Sequence, residues 1–518
     1  MMIRRCCLLV TALIILASLL TACGGASNER TAGNVPVPGG TARIVQITEP
    51  RSLDPATLSN QWVLNSLLGN ALFGTLMIND PKTGELELTM AEGFATHDGG
   101  ATFELTLRPD LRFSDGSPLD AAAVKFNWDR LADPANGSAY LQEVSMMAST
   151  EVVDATRLAI TMAEPVPNFA EAVYGTSLNW IAAPSALAAG RQQFDSHPVG
   201  AGPFTLKHWA RGDAIELVKN PGYWGAPKPF LDAITLRTNA DTAQRINTLI
   251  SDGADLVIET NPASIAEAGE AGFPADTVAL RGGQTLTMNT RRPPFDDVRA
   301  RRAVAAAIDL DAIDLAVYHG ESRVPRALFG ESSPFHTDLP LPRPDRETAQ
   351  RLFDELAAEG KPVSFTFTSG PTAEIRALAE NVQAQLGAFA DVEVEVAVAD
   401  ITQVVELRRT NDFDMTTSSA NFADPEPALW SAFHSRSRRN LSGIVDAELN
   451  RALQDGRAGT TIGQRTDAYR RVQERLNALV PVIFQVSNEP SVVTRRNIGG
   501  VVQYGYGSLL PEELWVEN

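Results

Sequence analysis

The stretch that decides the fold runs from residue 363 to residue 419. It opens with VSFTFTS (363–369), passes through AEIRALAENVQAQL (373–386) and VEVEVAV (392–398), and closes with TQVVELRR (402–409) leading into FDMTTSS (413–419). The first, third and last of these read as strands. Between them, Ile375, Leu378, Val382 and Leu386 form one apolar helical stripe, and TQVVELRR reads as a second helix. A β-α-β-α-β alternation calls for parallel strands joined by crossover helices. In such sheets ligands bind beyond the carboxyl ends of the strands. Here those ends are Ser369 to Thr372 and Ser418 to Asp424, so two neighbouring loops are expected to form a ligand wall.

Upstream, FDDVRARRAVAAAIDLDAI (295–313) places two aspartates near a helix N-terminus, where the dipole favours negative charge. TFELTLRPDLRF (102–113) puts Phe103, Leu105 and Leu107 on one face of a half-buried strand. After the turn SDGS (114–117), Asp120 is placed to cap a helix through AAAVKFNWDRL. RLAITM (157–162), DAIELVKN (213–220) and FLDAITLR (230–237) alternate in the same way.

The N-terminus has its own logic. Arg4 and Arg5 form a positive n-region, Leu8 to Leu20 an apolar h-region, and LLTACGG (19–25) ends it at Cys23, the last of three cysteines. The run is shorter than the ~18–20 apolar residues that span a bilayer. Leu20-Thr21-Ala22-Cys23 resembles the bacterial lipobox, which implies a signal peptide over 1–22 and a lipid-bearing thiol on Cys23. Residues 24–40, rich in Gly, Pro and small polar residues, then read as a flexible tether between lipid and body.

Composition bounds the rest. The 518 residues are enough for two or three domains, and 44% hydrophobic with 21% charged is a globular balance. Net charge is −19, which repels nucleic acid and excludes it as a partner. The six histidines, at 97, 197, 208, 319, 336 and 434, show no ligand spacing. No His-Glu-x-x-His, Walker loop or Gly-x-Ser-x-Gly elbow occurs, so no catalytic residue, metal or cofactor is expected. The basic runs RARR (299–302) and SRSRR (435–439) read as solvated faces, or, for the second, equally as a grip on an anionic ligand.

Four segments then carry a resemblance: RSLDPA (51–56), the run from LTMAEGFATHDGG to FNWDRL (88–131), PVGAGPFTLKHWARGDAIELVKNPGYWGAPKPFLDAITLR (198–237), and TMNTRRPPFDDVRARRAVAAAIDLDAI (287–313). In order from about Ala42 to the C-terminus, the chain resembles the peptide/nickel class of extracellular solute-binding proteins that feed ABC importers. The resemblance implies an α/β fold of the type II periplasmic-binding-protein kind, a two-lobed clamshell of the peptide-binding class with an extra inserted domain. One lobe would join 41–80, 200–285 and 485–518, the inserted domain would be 81–199, and the other lobe 286–484. It also implies capture of a peptide or peptide-sized solute by hinge closure, delivery to a membrane permease with its ATPase, and a monomeric receptor without enzymatic activity.

For the site, the resemblance places Ser59-Asn60-Gln61-Trp62 where the family's first lobe touches ligand. Asn421 stands where dipeptide-binding relatives keep an ammonium-pairing aspartate, and Ser418 where they keep a tryptophan. With no acid at Asn421, counter-charge for an amine would come from Asp424 or Glu426. The expected contacts are therefore Asn60, Gln61, Trp62, Ser418, Asn421 and Asp424. A non-peptide solute (glycoside, opine or metal chelate) and a signalling lipoprotein with the same fold remain alternatives.

Overall fold

The computed structural model describes residues 35–60, 65–331 and 333–517. Cys23, Gln61 and Trp62 lie outside them, and so does the leader.

Three sheets organise the described chain. A five-stranded sheet runs in the order Val392–Val398, Val363–Ser369, Met415–Phe422, Arg281–Met288, Val482–Val486. Its first three strands are parallel, Val363 opposite Val392 and Phe367 opposite Met415, as the β-α-β-α-β alternation requires. The crossover helices are Ala373–Leu386 and Ile401–Thr410. The second begins with a capping box, in which Asp400 and Gln403 satisfy each other's backbone N–H groups. Leu378, Val382 and Leu386 of the apolar stripe pack against Phe367 and Met415 of the sheet, all buried.

A seven-stranded sheet is assembled from distant parts of the chain. Its order is Ala275–Thr277, Ser491–Thr494, Leu256–Glu259, Thr41–Gln46, Ala233–Thr238, Ala214–Lys219, Phe204–Ala210. Thr41–Gln46 runs parallel to both of its neighbours, and the outer pairings are antiparallel. The third sheet is antiparallel, with Ala91–Ala95, Thr102–Leu107, Arg157–Met162 and Met147–Val152 in that order. Phe103, Leu105 and Leu107 face its core, and the helix Ala121–Ala132 packs there, capped by Asp120 accepting from the Ala123 N–H at 2.9 Å.

One expectation changes with the strand boundaries. The segment Ser418 to Asn421 belongs to the strand Met415–Phe422 rather than to a loop. Its parallel neighbour pairs only through Met415 and Thr416, but the antiparallel strand Arg281–Met288 extends the ladder to Phe422. Backbone hydrogen bonds that sequence periodicity could not assign to a partner thus carry the strand past its expected end.

Candidate functional site

A cavity of about 460 Å³ opens against that extended strand, a size ordinary for small-molecule sites. Ser418, Ser419, Ala420 and Asn421 line it, with Thr285 and Thr287 from the adjacent strand. The close strand pairing depends on Gly282, opposite Asn421: its φ is +71°, and a Cβ there would lie 1.9 Å from the Ala420 carbonyl oxygen. The helix Ala428–Phe433 supplies Ala428, Ser431, Ala432 and Phe433. Ser59, Glu143 and Tyr506 reach the cavity from remote parts of the chain.

Hydroxyls and guanidiniums dominate the wall. Arg408 projects from the helix Ile401–Thr410 and donates to the Thr417 carbonyl at 2.7 Å. It stays open to solvent, yet the protein around it lowers its pKa by desolvation. Arg438 and Arg439 come from the SRSRR run. The loop carrying them is pinned by the Ser442 carbonyl, which accepts from the Thr290 N–H at 2.8 Å, and by Arg291 donating to the Leu441 and Asn440 carbonyls.

The three arginines of SRSRR divide their work. Arg436 pairs with Glu164 at 3.2 Å and Arg439 with Glu143 at 2.7 Å, both partners standing in the segment of the four-stranded sheet. Arg438 has no ion pair among the described residues and faces the cavity. In RARR, Arg299 pairs with Asp297 and Glu359, while Arg301 is buried on backbone carbonyls, so this run ties local structure.

Of the expected contacts, Ser418 and Asn421 line the cavity. The Asn421 Oδ1 accepts from the Asn488 Nδ2 at 2.7 Å, which links the strand to the C-terminal segment. Asn60 is fully buried, donating to the Tyr174 carbonyl at 2.8 Å and accepting from Ser508 at 2.9 Å; its neighbour Ser59 is the residue on the wall. Asp424, half-buried, is held by both terminal nitrogens of Arg465, and the buried Glu426 accepts from Arg457. Neither carboxylate lines the cavity. Counter-charge from that pair, as the sequence suggested, is already spent within the fold. Ser369 to Thr372 also stand outside the lining.

Two groups escaped the sequence reading. Glu143 lies in the short helix Leu141–Val144, buried, with Oε1 on Arg439 and Oε2 without a hydrogen-bond partner. Nothing in its local sequence marks it. Arg408 had a weak signal only, as one of two arginines closing an ordinary amphipathic helix. Beside the cavity, Glu171 is buried against Tyr174 and the Asp424 region, and burial pushes its carboxyl up to about 8. Among the described residues no group of three His, Cys, Asp or Glu side chains could hold a metal ion, and no helix is long and apolar enough to cross a membrane.

This geometry has relatives. The family model for "Bacterial extracellular solute-binding proteins, family 5 Middle" matches residues 85–440. The glutathione-binding protein GsiB of Shigella boydii is 31% identical over 246 residues, 46% of this chain and 47% of the relative. The chain thus spans about half the length of the curated relatives it matches. Among solved structures, AgaA of A. tumefaciens R10 in complex with agropinic acid superposes with a TM-score of 0.80 at 22% identity, covering 92% of this chain and 99% of AgaA. AppA of Bacillus subtilis, bound to a nonapeptide, gives 0.78 at 20% identity over 93% and 100%. Both share the α/β fold of type II periplasmic binding proteins.

Proposed function

We infer a transport role from one premise: the chain belongs to the bacterial extracellular solute-binding proteins, family 5. Proteins of this kind serve ABC importers and bind peptides or related solutes. Here the chain captures a peptide-sized polar solute, closes around it by hinge motion between the lobe built on the seven-stranded sheet and the lobe built on the five-stranded sheet, and hands it to a membrane permease. The expected lobe bounds shift by a few residues, to 41–80, 200–280 and 487–518 for the first and 281–486 for the second, so that the strands Arg281–Met288 and Val482–Val486 stay whole within one sheet; 81–199 is inserted. Cys23 anchors the receptor to the membrane through lipid.

The observation that carries this reading is the composition of the cavity wall. Ser59, Glu143, the strand Met415–Phe422 and Tyr506 are brought together from four separated parts of the chain, so the cavity exists only while those parts are apposed. A site built across a cleft couples binding to closure. Similarity to a glutathione-binding protein supports a solute of tripeptide size. The test is mass spectrometry of small molecules that co-purify with the native protein, followed by small-angle scattering with the solute found. A smaller radius of gyration with solute is expected. Tight binding with an unchanged radius would overturn closure.

A further inference from the structure

The charges of the cavity do not cancel. Arg408, Arg438, Arg439 and Glu143 are its charged lining residues, and the Arg439–Glu143 pair neutralises one of each sign. Arg408 and Arg438 are left without a carboxylate among the described residues, in a chain whose net charge is −19. Two uncompensated guanidiniums on one cavity wall, both reachable from solvent, make that wall a local positive field in an acidic protein, and an anion entering it is attracted by both.

Their placement is common to both. Arg408 is tied to the Thr417 carbonyl, one residue before Ser418 on the wall. Arg438 sits on the loop that Thr290 and Arg291 fasten beside the end of the strand Arg281–Met288, where Thr287 and Ser442 also line the cavity. Two cations thus come from independent elements, alongside hydroxyls suited to share an oxyanion's lone pairs.

Glu143 gives the opposite polarity. It is 1% exposed, and its Oε2 is buried without a donor while Oε1 is satisfied by Arg439. A carboxylate oxygen in that position lacks a hydrogen-bond donor, and a solute can supply it.

Resting on the solute-binding reading above, we propose that the cavity takes an anionic or zwitterionic solute whose carboxylate or equivalent oxyanion lies between Arg408 and Arg438 and whose N–H, ammonium or hydroxyl group donates to Glu143. The solute is polarised, and its net charge is zero or negative. A neutral amide or a cation of the same size leaves both guanidiniums unpaired.

The experiment is calorimetric titration of the mature protein with matched pairs: trialanine against its C-terminal amide, glutathione against its diethyl ester, and trialanine against its des-amino analogue propionyl-Ala-Ala. Each acid is expected to bind about tenfold or more tightly than its amide or ester, and the des-amino analogue more weakly than trialanine. Arg408→Gln and Arg438→Gln, both at exposed positions, are each expected to erase most of the acid preference and its salt sensitivity. Amides binding as tightly as acids, or arginine variants that keep the full acid preference, would overturn the anion assignment and leave solute capture intact. If none of these peptides binds, the charge of the co-purified solute decides: an anion or zwitterion supports the assignment and a cation overturns it. Absence of both binding and any co-purified solute counts against solute capture itself.

Discussion

Arg439 Nη1 lies 2.7 Å from Glu143 Oε1, joining residues 296 positions apart in the chain. Together with Arg436 on Glu164, this pair fastens the helix-and-loop region after the strand Met415–Phe422 to the segment of the four-stranded sheet. Glu143 is buried while Arg439 keeps part of its surface in solvent.

Removing the cation alone leaves a buried carboxylate unpaired. Arg439→Gln is therefore expected to destabilise the protein by about 1.5–3 kcal/mol. Adding Glu143→Gln should recover a large part of that loss, because two neutral amides can hydrogen-bond without a desolvated charge. Urea unfolding of both variants measures this. Equal midpoints for Arg439→Gln and the unmodified protein would show that the pair contributes nothing.

A second pair is more deeply buried. Arg245 and Glu259 are 2% and 0% exposed, with Arg245 Nη2 at 2.8 Å from Oε2. Glu259 Oε1 also accepts from the Thr260 and Asn261 N–H groups at 2.7 and 2.9 Å. Arg245→Met should cost about 3–5 kcal/mol by stranding the carboxylate. Glu259→Leu should cost more, since it strands a guanidinium and two backbone donors together. Denaturant unfolding that ranks the two the other way would contradict this account.

The buried acid Glu171 makes stability depend on pH. Burial first, and the neighbouring Asp424 carboxylate second, push its carboxyl up to about 8. An unfolded glutamate titrates near ~4.3, so between the two values the folded protein holds a proton that the unfolded chain releases. This contribution is fully present below the unfolded value and is lost as pH rises through about 8. Groups facing Glu171 include Tyr174, Asp424 and Arg465. Melting temperatures followed across that window should fall more steeply for the unmodified protein than for Glu171→Gln. Parallel profiles would place the pH dependence elsewhere.

Glycine-to-alanine changes should differ in sign with position. At Gly282 a Cβ meets the Ala420 carbonyl at 1.9 Å and φ is +71°, so Gly282→Ala should cost about 3 kcal/mol or more and disturb the cavity floor. At Gly269, inside the helix Pro262–Glu270, nothing lies within 4 Å of the added carbon. Gly269→Ala should stabilise by about 0.5–1 kcal/mol. Thermal unfolding of the two variants distinguishes crowding from backbone entropy.

Asn421 offers a test of selectivity. Its Oδ1 already accepts from Asn488, a bond that a carboxylate can keep. Asn421→Asp should then add charge without cutting the link, and favour free-amine peptides over N-acetylated ones by about 1.5–3 kcal/mol. Titration of both proteins with a matched acetylated and unacetylated pair measures the change. A preference that mutation leaves untouched would remove Asn421 from amine recognition.

The crossover unit from Val363 to Phe422 was legible because its signals are local. Apolar stripes, strand periods and caps such as Asp120 act between residues a few positions apart, and each found its expected partner. The end of the strand Met415–Phe422 was not legible, since its last pairings come from a strand more than a hundred residues earlier.

Charge in the site follows the same division. The sequence by itself determined that the chain is acidic, that it folds as crossover-linked strands and helices, and that the segment carrying Ser418 follows the second crossover helix. Only the tertiary structure decided which charges remain for a solute. Asp424 and Glu426 are consumed by Arg465 and Arg457, Arg436 and Arg439 by Glu164 and Glu143, and among the described residues of the cavity Arg408 and Arg438 are left. The physical reason is range: secondary structure is set by neighbours along the chain, but a side-chain charge is neutralised by whatever the fold brings within a few ångströms, and in this protein those partners stand from 31 to 296 residues away.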